Sequence, residues 1–186
     1  PLSGFCSPYI MNSREVFPLF ATPLTVTNNY LPDKYLEPLI KYYKEGTDIW
    51  RDTGHPYQSM QTKSKKSLDN FPDVKWYMEK DFNMFIKDLL WLKPENKFAM
   101  GTSWGTKTTP ETVSHFHTHT NYFYSGVYYF EETDTPIEFQ RPLQGWQFGF
   151  EKEDFNLWNN DVFQIKPKAN TMVYFPSCVE HRITYH

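Results

Sequence analysis

After Pro94 the chain breaks into short aromatic or β-branched segments divided by turn residues, and this pattern restricts the fold more than any other feature. The segments are 97–108, 113–120, 122–130, 137–140, 146–150, 162–166 and 171–175, with another beginning at 181–185. A parallel βαβ sheet would need helical crossovers between its strands. Short strands at this spacing instead specify a sandwich or barrel of packed antiparallel sheets. Aromatic residues make up 19% of the chain. Their large buried area per side chain suits pleated surfaces, so composition points the same way.

The first half reads differently. Between 15 and 27 the sequence EVFPLFATPLTVT is interrupted by Pro18 and Pro23, which predicts an irregular edge segment. From 33 to 45, Tyr35, Leu36, Leu39, Ile40 and Tyr43 form a helical stripe, with Gly46 placed as a C-cap. Pro38 should disturb this helix unless the helix starts close to it. A longer helix is expected over 72–92. There Val74, Tyr77, Met78, Phe82, Phe85, Ile86, Leu89 and Leu90 recur at three- and four-residue steps. Pro72 suits its first position, Asp73 complements its dipole and Pro94 stops it. Its apolar face should cover one side of a sheet. The expected architecture is mainly β with N-terminal helices, a helical layer at about 30–95 on a double-stranded β-helix (jelly roll) at about 96–186. At 186 residues one domain is expected.

The net charge of -3 gives no broad positive field for nucleic acid. Lys63, Lys65 and Lys66 lie among Gln, Thr and Ser and read as a solvated loop rather than a phosphate patch. No apolar run reaches the ~20 residues that a bilayer span needs. No secretory leader opens the chain, which starts at Pro1 rather than Met and leaves room for a beginning further upstream. Cys6 and Cys178 make no disulfide framework, so a reducing cytoplasm is the expected compartment.

The stretch SHFHTHTN puts His115, His117 and His119 at alternate positions. Residues two apart on a strand share a face at about 6–7 Å, close enough for their imidazoles to converge on one ion. Neutral imidazole suits Fe, Zn, Cu and Ni, and at least three protein ligands are usual. A third must come from elsewhere. His181 is the natural candidate, at the entry to a terminal strand that packed sheets would bring alongside. The plain alternative is that these are hydrogen-bonded strand residues, although several unpaired imidazoles on one buried face would cost free energy. His55 and His186 receive no role.

Four stretches carry a family resemblance: FPLFATPL at 17–24, SWGTKTTPE at 103–111, HTHTNYFYSGVYYF at 117–130 and VYFPSCVEHRI at 173–183. They resemble the 2-oxoglutarate/iron(II)-dependent oxygenase family common in marine bacteria and cyanophages, a branch of the prolyl-hydroxylase-like superfamily. The resemblance selects His117 and His119 over His115 as the HxH pair and leaves His115 as a pocket or neighbouring residue. It implies Fe(II) held by His117, His119 and His181, 2-oxoglutarate as cosubstrate, O₂, and a small-molecule or peptidyl substrate. It also implies that Tyr129 and Lys107 face the cosubstrate, with Asn121 as a third candidate on the strand face of the histidines. The ordinary readings are that Tyr129 is core and Lys107 a solvated strand residue.

One departure from the superfamily stands out. Its usual motif is HxD/E…H, in which a carboxylate completes the triad. With His119 in that place the site is three-histidine and more positive. Glu111 and Glu180 lie nearby in sequence, but neither spacing demands them as ligands. The usual anchoring Arg would fall on a final strand cut short beyond residue 186. Arg182 is no simple substitute, since adjacent strand residues point to opposite faces.

The expected function is a hydroxylase-type dioxygenase, with Trp104, Tyr122 and Tyr124 lining the pocket mouth. A cupin-like three-histidine metalloprotein that does not use 2-oxoglutarate is the alternative. A carbohydrate- or peptide-binding module comes third, because it would have no use for HxH…H.

Overall fold

The computed structural model describes residues 21–54, 59–108, 114–142, 151, 153–154, 156 and 158–184. Among them are two α-helices, one short 3-10 helix (Ser67–Asn70) and nine strands, mostly β, with the strands paired antiparallel throughout.

Helix α1, Asp33–Glu45, begins where Pro32 offers its carbonyl to the N–H groups of Tyr35 (2.9 Å) and Leu36 (3.1 Å). Leu39 and Tyr43, one turn apart, bury its apolar stripe. The helix runs through Pro38 without ending. That residue is exposed, so the missing N–H costs one hydrogen bond on the solvent side while the buried stripe holds the turn. Gly46 does close the helix, its N–H donating to Tyr42 O at 3.1 Å, but its φ is -69°. The requirement for glycine is steric here: a Cβ would sit 2.6 Å from the Tyr42 carbonyl oxygen. Helix α2, Pro72–Leu90, starts on Pro72 and ends two residues before the expected boundary, with Trp91 left-handed at φ 51° as its cap.

Strand β8, Thr171–Pro176, lies between β1 (Thr25–Asn28) and β5 (Tyr124–Tyr129), so β1 is an edge strand; it overlaps the end of the edge segment expected at 15–27, of which 15–20 lie outside the described residues. Five consecutive β8 residues are buried, because both faces of the strand are covered. Met172 and Tyr174 join a helix-side core with Tyr30, Leu31, Leu39, Tyr43, Val74 and Met78. Val173 and Phe175 point the other way, into a second core with Ile137, Phe139 and Ile165. Those three belong to a second sheet, in which β6 (Ile137–Gln140) is flanked by β7 (Val162–Ile165) and β9 (His181–Ile183). A helical layer, a sheet and a second sheet are thus stacked in that order.

A third sheet joins β2 (Trp50–Asp52), β3 (Ser59–Thr62) and β4 (Thr106–Thr108). Neither β2 nor β3 was expected, because WRD and SMQT lack apolar alternation. Conversely, only 106–108 of the expected strand 97–108 pairs as one. The preceding backbone is satisfied by α2 side chains instead. Asn83 accepts from Phe98 N and donates to Phe98 O (both 2.8 Å), and Glu79 accepts from Met100 N at 2.8 Å. The expected strand at 146–150 lies outside the described residues. No helix among the described residues is long and apolar enough to cross a membrane.

Candidate metal centre

The segment 114–119 lies along the free edge of β9. His117 and His181 are a directly opposed antiparallel pair, each N–H donating to the other's carbonyl at 3.1 Å. His119 N donates to Ser177 O at 3.0 Å, and Ser114 N to Ile183 O at 3.0 Å. Only His117 registers as a bridge, so the strand expected at 113–120 is reduced to an extended segment tied down at three points.

This pairing brings the three imidazoles together. The ring centroids of His117 and His181 are 4.4 Å apart, those of His119 and His181 5.0 Å, and those of His117 and His119 5.2 Å. One ring nitrogen from each lies within 4.8 Å of the other two. His181 is buried against Phe175 (4.6 Å) and Phe139, His119 is half-buried, and His117 is exposed. The cluster therefore has an apolar floor and a solvent side.

Two rings are oriented by backbone carbonyls two residues upstream. His117 Nδ1 lies 2.9 Å from His115 O, and His181 Nδ1 lies 3.0 Å from Val179 O. A carbonyl only accepts, so each Nδ1 carries the proton and each Nε2 keeps its lone pair for an ion. His115 thus contributes its carbonyl, while its own side chain is exposed.

Burial depresses the basicity of His181 most, to a pKa of about 4, with smaller opposing and reinforcing effects from Val179 O and from His117 and His119. His119 is lowered by burial, then by His117 and Lys65. Both shifts favour the neutral, ligating form at neutral pH.

A pH dependence of stability follows. The unfolded chain takes up a proton at His181 near pH 6.5, whereas the metal-free folded chain resists it until about pH 4. Between these values the unfolded state binds more protons, so stability is full above pH 6.5 and is lost as pH falls towards 4. The whole shift corresponds to ~3 kcal/mol. Urea unfolding of metal-free protein from pH 7.5 to 4.5 is expected to show this loss, and His181→Gln a flatter profile. Parallel profiles for the two proteins would contradict it.

Of the residues expected to face the cosubstrate, only Tyr129 packs with the rings that floor the histidines. Tyr129, on β5, turns into the core between the two sheets with Val127. Its hydroxyl is buried with no hydrogen-bond partner among the described residues, and burial raises its pKa. Lys107 pairs across from Met60, and its ammonium stands 4.4 Å over the Trp50 ring. That is the sheet face turned to Tyr43 and α1, so Lys107 is not brought to the histidines. Asn121 is not on a strand but in the turn before β5, exposed and left-handed at φ 74°. Tyr124 faces Phe82 and Phe85 of α2 rather than a pocket mouth. Arg182 points away from His181 as expected, pairing with Glu138 at 2.7 Å and lying over Phe116.

Trp104 does meet the cluster, with its ring 5.8 Å from that of His119. Behind it stands Lys65, its Nζ 4.4 Å from the Trp104 ring centre. Sequence spacing gave no sign that Lys65 belongs here, since it lies far along the chain from all three clustered histidines. Glu180 is exposed, and no carboxylate joins the three imidazoles among the described residues; Glu111 lies outside them.

Residues 102–186 match a family model described as "Putative 2OG-Fe(II) oxygenase". The match covers just under half of the chain and includes His117, His119, His181 and Tyr129. Among curated proteins no sequence matches the chain. The family description and the three-histidine cluster together fit an iron/2-oxoglutarate oxygenase.

Proposed function

We propose that the chain is a hydroxylase-type iron(II)/2-oxoglutarate-dependent oxygenase on a single jelly-roll domain, with His117, His119 and His181 as its metal ligands. The convergence of the three imidazoles carries the reading, two of them locked by carbonyls so that Nε2 is free. Neutral nitrogen donors suit iron(II), and the exposed His117 side leaves room for further ligands.

The buried hydroxyl of Tyr129 supports the cosubstrate. An unpaired buried donor costs free energy that a bound acceptor recovers. Its raised pKa keeps the phenol protonated, so it can donate to a carboxylate of 2-oxoglutarate. Iron(II) and 2-oxoglutarate, when bound, supply the activation of O₂ for oxidation of a substrate C–H bond. The protein's part is placement and shielding. His181 anchors the centre against Phe139 and Phe175, which keep water from its inner side. His117 and His119 hold the outer side, where substrate approaches.

Anaerobic titration of 2-oxoglutarate into Fe(II)-loaded protein tests the reading. A visible charge-transfer band is expected in wild type and not in His117→Ala. The all-histidine donor set favours one second reading, a cupin-like metalloprotein that does not use 2-oxoglutarate. Bound iron without a band would select that reading, and no bound iron would sink both.

Tyr129→Phe is expected to weaken 2-oxoglutarate binding about tenfold while leaving ligand-free stability equal or slightly higher, since the lost hydroxyl has no partner to forfeit. A clear fall in melting temperature without ligand would show that the hydroxyl is engaged in the folded chain.

A further inference from the structure

Lys65 is held more firmly than a loop lysine need be. Its backbone carbonyl accepts from Ser103 N at 2.8 Å, and Ser67 N donates to Ser103 O at 2.9 Å. Beside them Thr62 N donates to Gly105 O at 3.0 Å, and Gly105 N to Thr62 Oγ1 at 3.1 Å. The segments carrying Lys65 and Trp104 are thereby stitched together. Gly105 is required at this junction, because a Cβ there would lie 2.5 Å from the Tyr43 ring. The ammonium is folded back rather than extended, donating to Gln61 Oε1 at 2.8 Å and resting on Trp104, whose ring meets His119 edge to face.

Charge on this side is unbalanced. Arg51 pairs across from Gln61 and so shares the sheet face of the residue that Lys65 contacts. Neither Lys65 nor Arg51 has a carboxylate partner among the described residues. The three imidazoles add no negative charge to a divalent ion, unlike a ligand set that includes a carboxylate. A cation on an aromatic platform beside such an ion is complementary to an oxyanion.

We infer that the His119 side of the centre is an anion-recognition subsite, in which Lys65 on its Trp104 platform takes the carboxylate or phosphate of a ligand drawn to the metal. The inference rests on reading the three histidines as a metal centre, and it adds a class of ligand to that reading. Lys65 is exposed at the rim, whereas the Tyr129 hydroxyl is buried between the sheets. The anion is therefore expected on the molecule to be oxidised rather than on the 2-oxo acid.

The test compares wild type, Lys65→Gln, Lys65→Arg and Lys80→Gln, the last a control because Lys80 lies over Trp76 on α2, away from the centre. Each is first shown to hold metal and melt as wild type does. Sulfate and acetate are titrated at constant ionic strength into metal-loaded protein, with and without saturating 2-oxoglutarate. Tryptophan fluorescence is the readout, and Trp104→Phe identifies the responding ring. In parallel, 2-oxoglutarate and 2-oxobutyrate, which lacks the second carboxylate, are titrated anaerobically through the charge-transfer band.

Sulfate and acetate are expected to bind wild type, Lys65→Arg and Lys80→Gln alike, and Lys65→Gln about tenfold or more weakly. The preference for 2-oxoglutarate over 2-oxobutyrate should not change. Loss of that preference in Lys65→Gln would keep the subsite but move its anion to the cosubstrate, overturning the assignment to the oxidised molecule. Anion binding unchanged in Lys65→Gln, or absent from wild type, together with an unchanged preference, would overturn the subsite. A missing charge-transfer band in wild type would instead defeat the oxygenase reading, while the sulfate and acetate titrations still decide the subsite.

Discussion

His181→Ala is expected to raise the dissociation constant for a divalent metal by more than about 100-fold. Changes to the partners that merely orient a metal-bound histidine cost up to that much, and here a ligand itself is lost. Two ligands would remain on one short segment, His117 and His119, with nothing opposite them to close the site. The substitution also leaves a void against Phe175 and Phe139, into which the remaining rings can relax away from their converged geometry. Metal per chain after dialysis, and competition with a coloured chelator, give the readout. His115→Ala is the matched comparison: the ring is exposed, and the carbonyl that orients His117 survives the change. It should hold metal as wild type does. A full equivalent of tightly bound metal in His181→Ala would remove His181 from the centre.

Phe175→Ala is expected to cost about 3–5 kcal/mol of folding stability. The side chain is fully buried on the central strand of the main sheet and meets Phe139 at 4.9 Å and His181 at 4.6 Å. Two sheets share that contact, so neither can close the gap without losing register. Metal affinity should fall with stability, because the floor under His181 goes with the ring. Met84→Ala, on the exposed side of α2, should stay within about 0.5 kcal/mol of wild type. Urea denaturation measures both. A loss below 1 kcal/mol in Phe175→Ala would mean that the two sheets do not pack through this residue.

Both helices were legible because their signals are local. The stripe that buries Leu39 and Tyr43, the start at Pro72 and the closing Gly46 are each set by residues within a few turns. Strand β6 was read at its observed limits, and β8 to within one residue, for the same reason. Strands β2 and β3 were not readable. Their residues carry no alternating apolar pattern, and only pairing with β4 makes them strands. The stretch from 97 to 105 misled in the opposite sense, since its β-like composition does not reveal that Asn83 and Glu79 satisfy the backbone of Phe98 and Met100.

The candidate centre divides along the same line. The alternation of His115, His117 and His119 put all three on one side of a single segment, the family resemblance chose the last two, and the need for a further ligand pointed to His181. Tyr129 was named by the family resemblance alone, with a place in the core as the ordinary alternative. What the order of residues could not decide was which face of a strand meets which neighbour. Lys107 lies on the segment that leads to the histidines, yet the register of β4 on β3 turns it to Trp50. Lys65, from a loop that read as solvated, is brought beside His119 by its ties to Ser103. Periodicity and ligand chemistry act over a few residues, and the sequence alone determined what depends on them. Side-chain facing and long-range neighbours depend on the register between strands distant in the chain, which hydrogen bonding and burial settle only once the sheets have packed.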